Sequence, residues 1–141
     1  MKIRFKLLNE SAKLPCYKHK GDSGMDVFSA ENISIPPHGF AKIRTGISAE
    51  IPPGHELQVR PRSGMQCVNG IVGTWGTVDE CYRGEIGVAL YNHTDRVYVV
   101  YQGDRIAQLV IAPVTRAEIE QVDELNTNTE RGTDGFGSTG K

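Results

Sequence analysis

The sequence lacks several features that mark whole classes of protein. It has three cysteines, Cys16, Cys67 and Cys81, an odd number whose spacing matches no zinc-binding pattern. No apolar run approaches the roughly 20 residues of a membrane-spanning helix, and the N-terminal MKIRFKLL has no signal-peptide core. We therefore expect a soluble intracellular protein with reduced thiols, cytoplasmic or, from a eukaryotic or viral source, nuclear.

The chain also lacks an excess of charge of either sign. It carries 16 Lys and Arg against 17 Asp and Glu, a formal net charge of −1. A nucleic-acid or membrane partner would normally require a strongly basic face, so neither is expected. A local basic pocket is still allowed, because net charge does not report how charges are distributed. The 141 residues fit one domain that can bury a core without disulfides.

Glycine and proline interrupt the chain often, and between them lie short segments in which apolar and polar residues alternate. This period of two predicts β-strands. The segments lie at 3–7, 33–35, 41–51, 55–60, 85–91, 96–101 and 106–114. Many short strands joined by Gly/Pro turns indicate an all-β sandwich, barrel or jelly roll.

Two C-terminal stretches depart from this pattern. In TRAEIEQVDEL (115–125), Ile119 and Val122 lie three apart among helix-forming residues, which permits a short helix. From Asn126 the composition turns polar, and residues 131–140 read RGTDGFGSTG. This tail is either a disordered chain end or an arm that becomes ordered on a phosphate-bearing ligand.

Two stretches near the middle of the chain suggest phosphate chemistry. In RPRSGM, Arg62, the Ser63 hydroxyl and the flexible Gly64 could together bind a phosphate. The same residues are also compatible with an ordinary strand end that carries a surface arginine. In GDSGMDVFSA, Asp26 stands between apolar neighbours at the start of a predicted strand, and it is equally compatible with a turn.

Residues 73–92 resemble a β-hairpin that presents an acid. Asp79 follows the apolar Val78, and a carboxylate beside an apolar residue can polarise a water molecule. Asp79 can equally be a turn residue, and Tyr82 a core aromatic. Trp75 must pack on something, such as a ligand or another subunit. Gln108, a polar residue in an apolar strand, needs a partner that is either a ligand or a backbone group.

Five motifs in this order resemble those of the homotrimeric dUTPases. They are SGMDV, PRSGM, GTVDECYRG, GDRIAQL and RGTDGFGSTG. The resemblance spans Ile3 to Gly140 and favours the arm over the disordered tail. It implies an all-β subunit, a jelly roll or distorted β-barrel at residues 1–125, that assembles as a homotrimer. Residues 126–141 would then form a mobile arm that closes a neighbouring subunit's site, and 115–125 would be mostly extended.

The resemblance also implies a reaction, the hydrolysis of dUTP to dUMP and pyrophosphate by attack of water on the α-phosphorus. Asp79 matches the family's catalytic carboxylate. Mg²⁺ would be held mainly by the triphosphate, with Asp26 contacting it through water. The homotrimer, dUTP and Mg²⁺ are therefore the expected partners.

Substrate-binding roles follow by the same resemblance. Arg62, Ser63, Gly64 and Gln108 would bind phosphates, the 73–78 backbone would read uracil, and the arm would cover both. The full set is Arg62, Ser63, Gly64, Gly73, Gly76, Thr77, Val78, Tyr82, Gln108, Arg131, Phe136, Gly137, Ser138 and Thr139. The sequence departs from the commonest form of the dUTPase motifs at Met25, Gly64, Thr74 and Trp75.

Two other functions share this fold. The related dCTP deaminases use a glutamate on the strand after the hairpin, where this chain reads GVALYN with no acid. A non-catalytic trimer that senses nucleotides and binds a partner protein is also compatible with the fold. The presence of Asp79, Tyr82 and a complete tail favours catalysis.

Overall fold

A computed structural model describes residues 1–133, within which lie eleven strands and one short helix. The prediction of an all-β fold is therefore confirmed, with the helix as an addition. The elements are β1 (Arg4–Leu7), β2 (Met25–Phe28), β3 (Ile33–Ile35), β4 (Phe40–Arg44), β5 (Ile47–Glu50), β6 (His55–Arg60), α1 (Ser63–Asn69), β7 (Ile71–Gly73), β8 (Gly76–Val78), β9 (Gly87–Asn92), β10 (Tyr98–Val100) and β11 (Arg105–Pro113).

The strands pair only in antiparallel ladders, which form four small sheets in the described chain. The largest has the order β2-β11-β6-β8, and a second has the order β4-β9-β7. Two further sheets contain one pair each, β1-β5 and β3-β10. Because no two consecutive strands of the described chain pair with each other, residues far apart in the sequence meet at the strand ends.

The core follows from the alternation along each strand. In β9, Val88 and Leu90 are fully buried, while Tyr91 between Leu90 and Asn92 is exposed. In β11, Ile106 and Leu109 are buried together with Ala107. Each fully buried aliphatic side chain contributes about 1.5–3 kcal/mol relative to exposure, so this inner layer holds the sheets together.

Two strand predictions need correction. The segment 41–51 is not one strand, because the chain turns at Gly46 with φ +65° between β4 and β5. Residues 73–92 do not form a single hairpin, because β8 pairs with β6 whereas β7 pairs with β9. The chain crosses from one sheet to another at Thr74 and Trp75.

Helix α1 was not predicted from the sequence. It ends at Gly70, which adopts the left-handed conformation (φ +66°) and donates its backbone N–H to the carbonyl of Met65. Met65 is its buried residue. The segment is too short for apolar periodicity to show, and the Asn-Gly pair at its end was the available signal.

Residues 115–125 contain neither a helix nor a strand. Every residue from 115 to 133 is exposed, and Ile119 is 95% exposed. The spacing of Ile119 and Val122 thus produces no helix, since short helices need a surface to pack against. No helix within residues 1–133 has the length and apolarity needed to cross a membrane.

Candidate active site

The first candidate pocket lies where β2, β11 and the start of α1 meet. It has a volume of about 460 Å³ and a polar lining. Its lining residues are Lys18, His19, Asp22, Ser23, Gly24, Asp26, Arg62, Ser63, Gly64, Arg105 and Gln108. Five of the residues predicted from sequence are thereby brought together: Asp26, Arg62, Ser63, Gly64 and Gln108. We call this the phosphate pocket, after the ligand that the sequence predicts for these residues.

Arg62 is held from two directions in the phosphate pocket. Its Nε lies 3.2 Å from Oδ1 of Asp26, and its Nη1 donates to the carbonyl of Arg105 at 3.0 Å. Arg105 in turn places its own Nη1 3.2 Å from Oδ2 of Asp26. Two guanidinium groups thus face one carboxylate, which leaves a net positive charge and further N–H donors for an anion.

Strand register explains why these residues meet. Gln108 on β11 lies opposite Asp26 on one side and Arg60 on the other. Its Nε2 donates to the carbonyl of Pro61 at 3.2 Å, so the amide does have a backbone partner. A Cβ on Gly24 would lie 2.4 Å from Oε1 of Gln108, so a glycine is required there for the amide to fit.

The start of α1 forms another wall of the phosphate pocket. Ser63 and Gly64 are its first two residues, and nothing lies within 4 Å of where a Gly64 Cβ would be. Tyr98 lines a neighbouring pocket together with Arg62 and is half-buried, and this burial, followed by the charge of Asp104, raises its pKa. The opposing effect of Arg62 on that pKa is smaller.

A second pocket of about 230 Å³ surrounds the end of β8. Its lining residues are Lys42, Val59, Gly76, Thr77, Val78, Asp79, Tyr82, Glu85, Ile86 and Gly87. It contains five more of the predicted residues: Gly76, Thr77, Val78, Asp79 and Tyr82. We call it the β8 pocket, and it shares no lining residue with the phosphate pocket.

Asp79 begins a tight turn immediately after β8, closed by a hydrogen bond from the Tyr82 N–H to the Asp79 carbonyl at 3.0 Å. The Asp79 side chain is exposed and has no hydrogen-bond or ion-pair partner in residues 1–133. Tyr82 is 45% exposed rather than a core aromatic, and its hydroxyl donates to the Glu85 carbonyl at 3.1 Å. The carboxylate is therefore free to accept a hydrogen bond from water.

The remaining predicted residues lie elsewhere. Gly73 is buried on β7 opposite Leu90 and lines neither pocket. Arg131 lies in the exposed segment. Phe136, Gly137, Ser138 and Thr139 lie outside the described residues.

Two features of the sites were not found from the sequence. One is Arg105, whose ion pair with Asp26 depends on pairing between distant strands; its place in GDRIAQL was the available signal. The other is the stacking of the Arg60 guanidinium over Trp75, at 5.3 Å from the ring centroid. Trp75 is otherwise 68% exposed.

The phosphate pocket fits a cation only in the company of a ligand. Residues 1–133 contain no group of three His, Cys, Asp or Glu side chains able to hold a metal ion. Asp22 and Asp26 do line the pocket. This donor set suits Mg²⁺, which keeps several waters and binds through one or two carboxylates plus phosphate oxygens.

Together the fold and the two pockets define a class: a small all-β protein with an arginine-lined anion pocket and, separately, an exposed carboxylate beside a strand end. The family model described as dUTPase matches residues 10–140. The chain belongs to the dUTPase family.

Relatives and solved structures agree with this assignment. The deoxyuridine 5'-triphosphate nucleotidohydrolase of Picosynechococcus sp. is 49% identical over 142 residues, covering 99% of each chain. That of Clostridium tetani is 50% identical over 141 residues, covering 99% of this chain and 97% of its own. The dUTPase of Staphylococcus bacteriophage 80alpha, solved with dUPNHPP, superposes with a TM-score of 0.93 at 32% identity and 99% coverage of both chains.

Proposed function

We infer that this protein is a dUTP diphosphatase, which hydrolyses dUTP to dUMP and pyrophosphate. The observation that carries this conclusion is the dUTPase family match over residues 10–140, with nucleotidohydrolases about 50% identical along nearly the whole chain. The reaction keeps uracil out of DNA and supplies dUMP for thymidylate synthesis.

In the mechanism we propose, Asp79 is the general base. Its carboxylate orients a water molecule and accepts its proton as the oxygen attacks the α-phosphorus. Within residues 1–133 this side chain has no hydrogen-bond or ion-pair partner, which supports the role, because a carboxylate already bound to an arginine would be a weaker base.

The phosphate pocket would receive the triphosphate. Arg62, fixed by Asp26 and the Arg105 carbonyl, presents its remaining N–H donors, while Ser63, Gly64 and Gln108 contribute polar groups. Because Arg62 is already oriented, little conformational freedom is lost when the phosphate binds. Arg131 would contact the terminal phosphate.

Asp26, through water, is the protein group we assign to Mg²⁺. When bound, the ion neutralises charge on the phosphate oxygens. A dUTPase mutant from Staphylococcus aureus phage phi11, 29% identical with a TM-score of 0.84, coordinates a structural Mg(II) ion. Asp26 also forms ion pairs with Arg62 and Arg105, so the same carboxylate would hold both arginines and the hydrated cation.

Uracil would be read by the backbone of β8, at Gly76, Thr77 and Val78, and by that of Gly73 at the end of β7, with Tyr82 under the sugar. A backbone edge that matches uracil leaves buried groups unpaired against cytosine, which rejects it strongly. Tyr82 would leave no room for a 2′-hydroxyl, and a tight turn would exclude thymine's methyl group.

We further propose that the complete site is shared within a jelly-roll homotrimer. The phosphate pocket and the β8 pocket share no lining residue, which supports contributions from different chains. The β8 pocket of one chain, the phosphate pocket of a second and the arm (residues 126–141) of a third would enclose one nucleotide.

The activity is tested by measuring pyrophosphate release from dUTP, dCTP, dTTP and UTP in the presence of Mg²⁺. We expect turnover of dUTP and little of the other three. Binding of dUTP without pyrophosphate release would instead indicate a sensor, and ammonia release from dCTP would indicate a deaminase.

The sharing of sites is tested by mixing two inactive variants. In a mixed trimer, Asp79 of an Arg62→Ala chain can meet Arg62 of an Asp79→Asn chain. Co-expression should therefore restore part of the activity that each variant lacks alone. If both residues of a site came from one chain, mixing would restore nothing.

A further inference from the structure

Glu80, the residue after the proposed base, makes two contacts that hold its turn in place. Its Oε2 accepts the backbone N–H of Gly54 at 2.5 Å, and its Oε1 lies 3.1 Å from Nη2 of Arg116. Its side chain is only 26% exposed, whereas that of Arg116 is 64% exposed. Glu80 thus joins three separate stretches of the chain.

The sheet brings these three stretches together. On β6, Leu57 lies opposite Val78, the last residue of β8, and His55 lies opposite Pro113, the last residue of β11. The turn before β6 therefore sits between the ends of β8 and β11. The Val114 N–H donates to the Gly54 carbonyl at 2.9 Å, a second link in the same place.

Asp79 depends on its neighbours for its position, because its own side chain has no partner in the described chain. On one side Val78 is fixed in the ladder with β6. On the other side Glu80 is anchored to Gly54 and Arg116. The backbone is therefore held on both sides of Asp79, at Val78 and at Glu80.

We propose that Glu80 is a positioning residue for Asp79, and that its contact with Arg116 couples the base to the start of the C-terminal segment. This inference rests on the proposed dUTP hydrolysis. It adds that the chain leaving β11 is attached to the turn that carries the base. Loss of the link would misplace the carboxylate relative to the attacking water, without removing any group assigned to substrate binding.

The test is steady-state hydrolysis of dUTP by Glu80→Ala and Glu80→Gln. We expect Glu80→Ala to lower kcat about 10-fold with KM within about twofold, because misplacement of a reacting group by a fraction of an ångström acts on the chemical step. Glu80→Gln keeps an oxygen for the Gly54 N–H and should lose less. Glu118→Gln removes an exposed carboxylate that has no hydrogen-bond or ion-pair partner in the described part of the chain, and it should match wild type.

Coupling to the C-terminal segment is tested by a double-mutant cycle with Arg116→Ala. If the two residues act through their contact, the double variant should be no slower than Glu80→Ala alone. Additive losses would overturn the coupling, and a wild-type kcat in Glu80→Ala would overturn the positioning role. A loss in Glu80→Ala confined to KM would also contradict it.

Should Glu80→Ala fail to fold, Glu80→Gln and Arg116→Ala still decide the question, because each removes only the charged link. The wild-type assay is independent of these comparisons. If wild type does not hydrolyse dUTP, the proposed function fails. If it does and all the variants equal it, the positioning role alone fails.

Discussion

Asp79 and Arg62 are held in opposite ways. The Arg62 guanidinium is fixed by the Asp26 carboxylate and a backbone carbonyl, while the Asp79 carboxylate has no partner in residues 1–133. A phosphate-binding cation gains from being oriented before the ligand arrives. A base must keep its lone pairs for the water it activates. The two environments match the two proposed roles.

Asp79→Asn tests the role of the base. The amide keeps the size of the side chain but cannot accept a proton from water. We expect turnover of dUTP to fall by about 10²–10⁴-fold while a non-hydrolysable dUTP analogue binds with nearly unchanged affinity, measured by calorimetry. Near-normal turnover in this variant would refute the role.

Glu80 predicts a pH dependence of stability. The hydrogen bond from Gly54, and then the charge of Arg116, lower its pKa below the ordinary value of 4.5. A lowered folded-state pKa gives stability that is present above pH 4.5 and is lost as pH falls through the lowered value. The melting temperature of wild type should therefore exceed that of Glu80→Gln at pH 7, and the difference should shrink below pH 4.5. A difference that grows on acidification would contradict this sign.

At the scale of elements, the alternation of apolar residues was enough to predict the class of fold. The strands at 33–35 and 55–60 have the bounds expected from their alternating apolar and polar residues. Two features of the fold could not be predicted from the alternation of apolar and polar residues. Gly46 breaks one apolar segment into β4 and β5, and Trp75 lies where the chain changes sheets. Both depend on contacts between distant segments, which local propensity does not contain.

Gly70 at the end of α1 gives a prediction about stability. An alanine there would be forced into the left-handed region, at a cost of about 1–2 kcal/mol, and its Cβ would lie 2.8 Å from Cγ2 of Thr94. We expect Gly70→Ala to lower the free energy of unfolding by about 1–3 kcal/mol in chemical denaturation. Gly64→Ala, in the same helix with open space around it, should be neutral or slightly stabilising.

At the scale of the whole molecule, the sequence motifs predicted which residues lie near one another. They did not predict the contacts that hold those residues together. Asp26, Arg62 and Gln108 were expected in one site and do line one pocket. The ion pair of Asp26 with Arg105 was not foreseen, since it arises from the pairing of β2 with β11. Gly73 belongs to the same predicted hairpin (73–92) as Asp79 but lies on the other sheet and lines neither pocket.

Removal of residues 131–141 tests the proposed arm. The truncated protein should keep its fold, because residues 131–133 are exposed, and it should keep the proposed three-chain assembly. Its turnover of dUTP should fall at least 10-fold, since without the arm the site could not close and exclude bulk water. Sedimentation and a pyrophosphate assay on the same sample check both statements. Full activity after truncation would contradict the arm.

The fluorescence of Trp75 should report nucleotide binding. The sequence has a single indole, it is 68% exposed, and it stacks with Arg60 beside the strand proposed to read uracil. A nucleotide that covers this loop should shift the tryptophan emission to shorter wavelengths, and the response should vanish in Trp75→Phe. Occupancy and closure of the site can then be followed in real time by fluorescence, without attaching a dye.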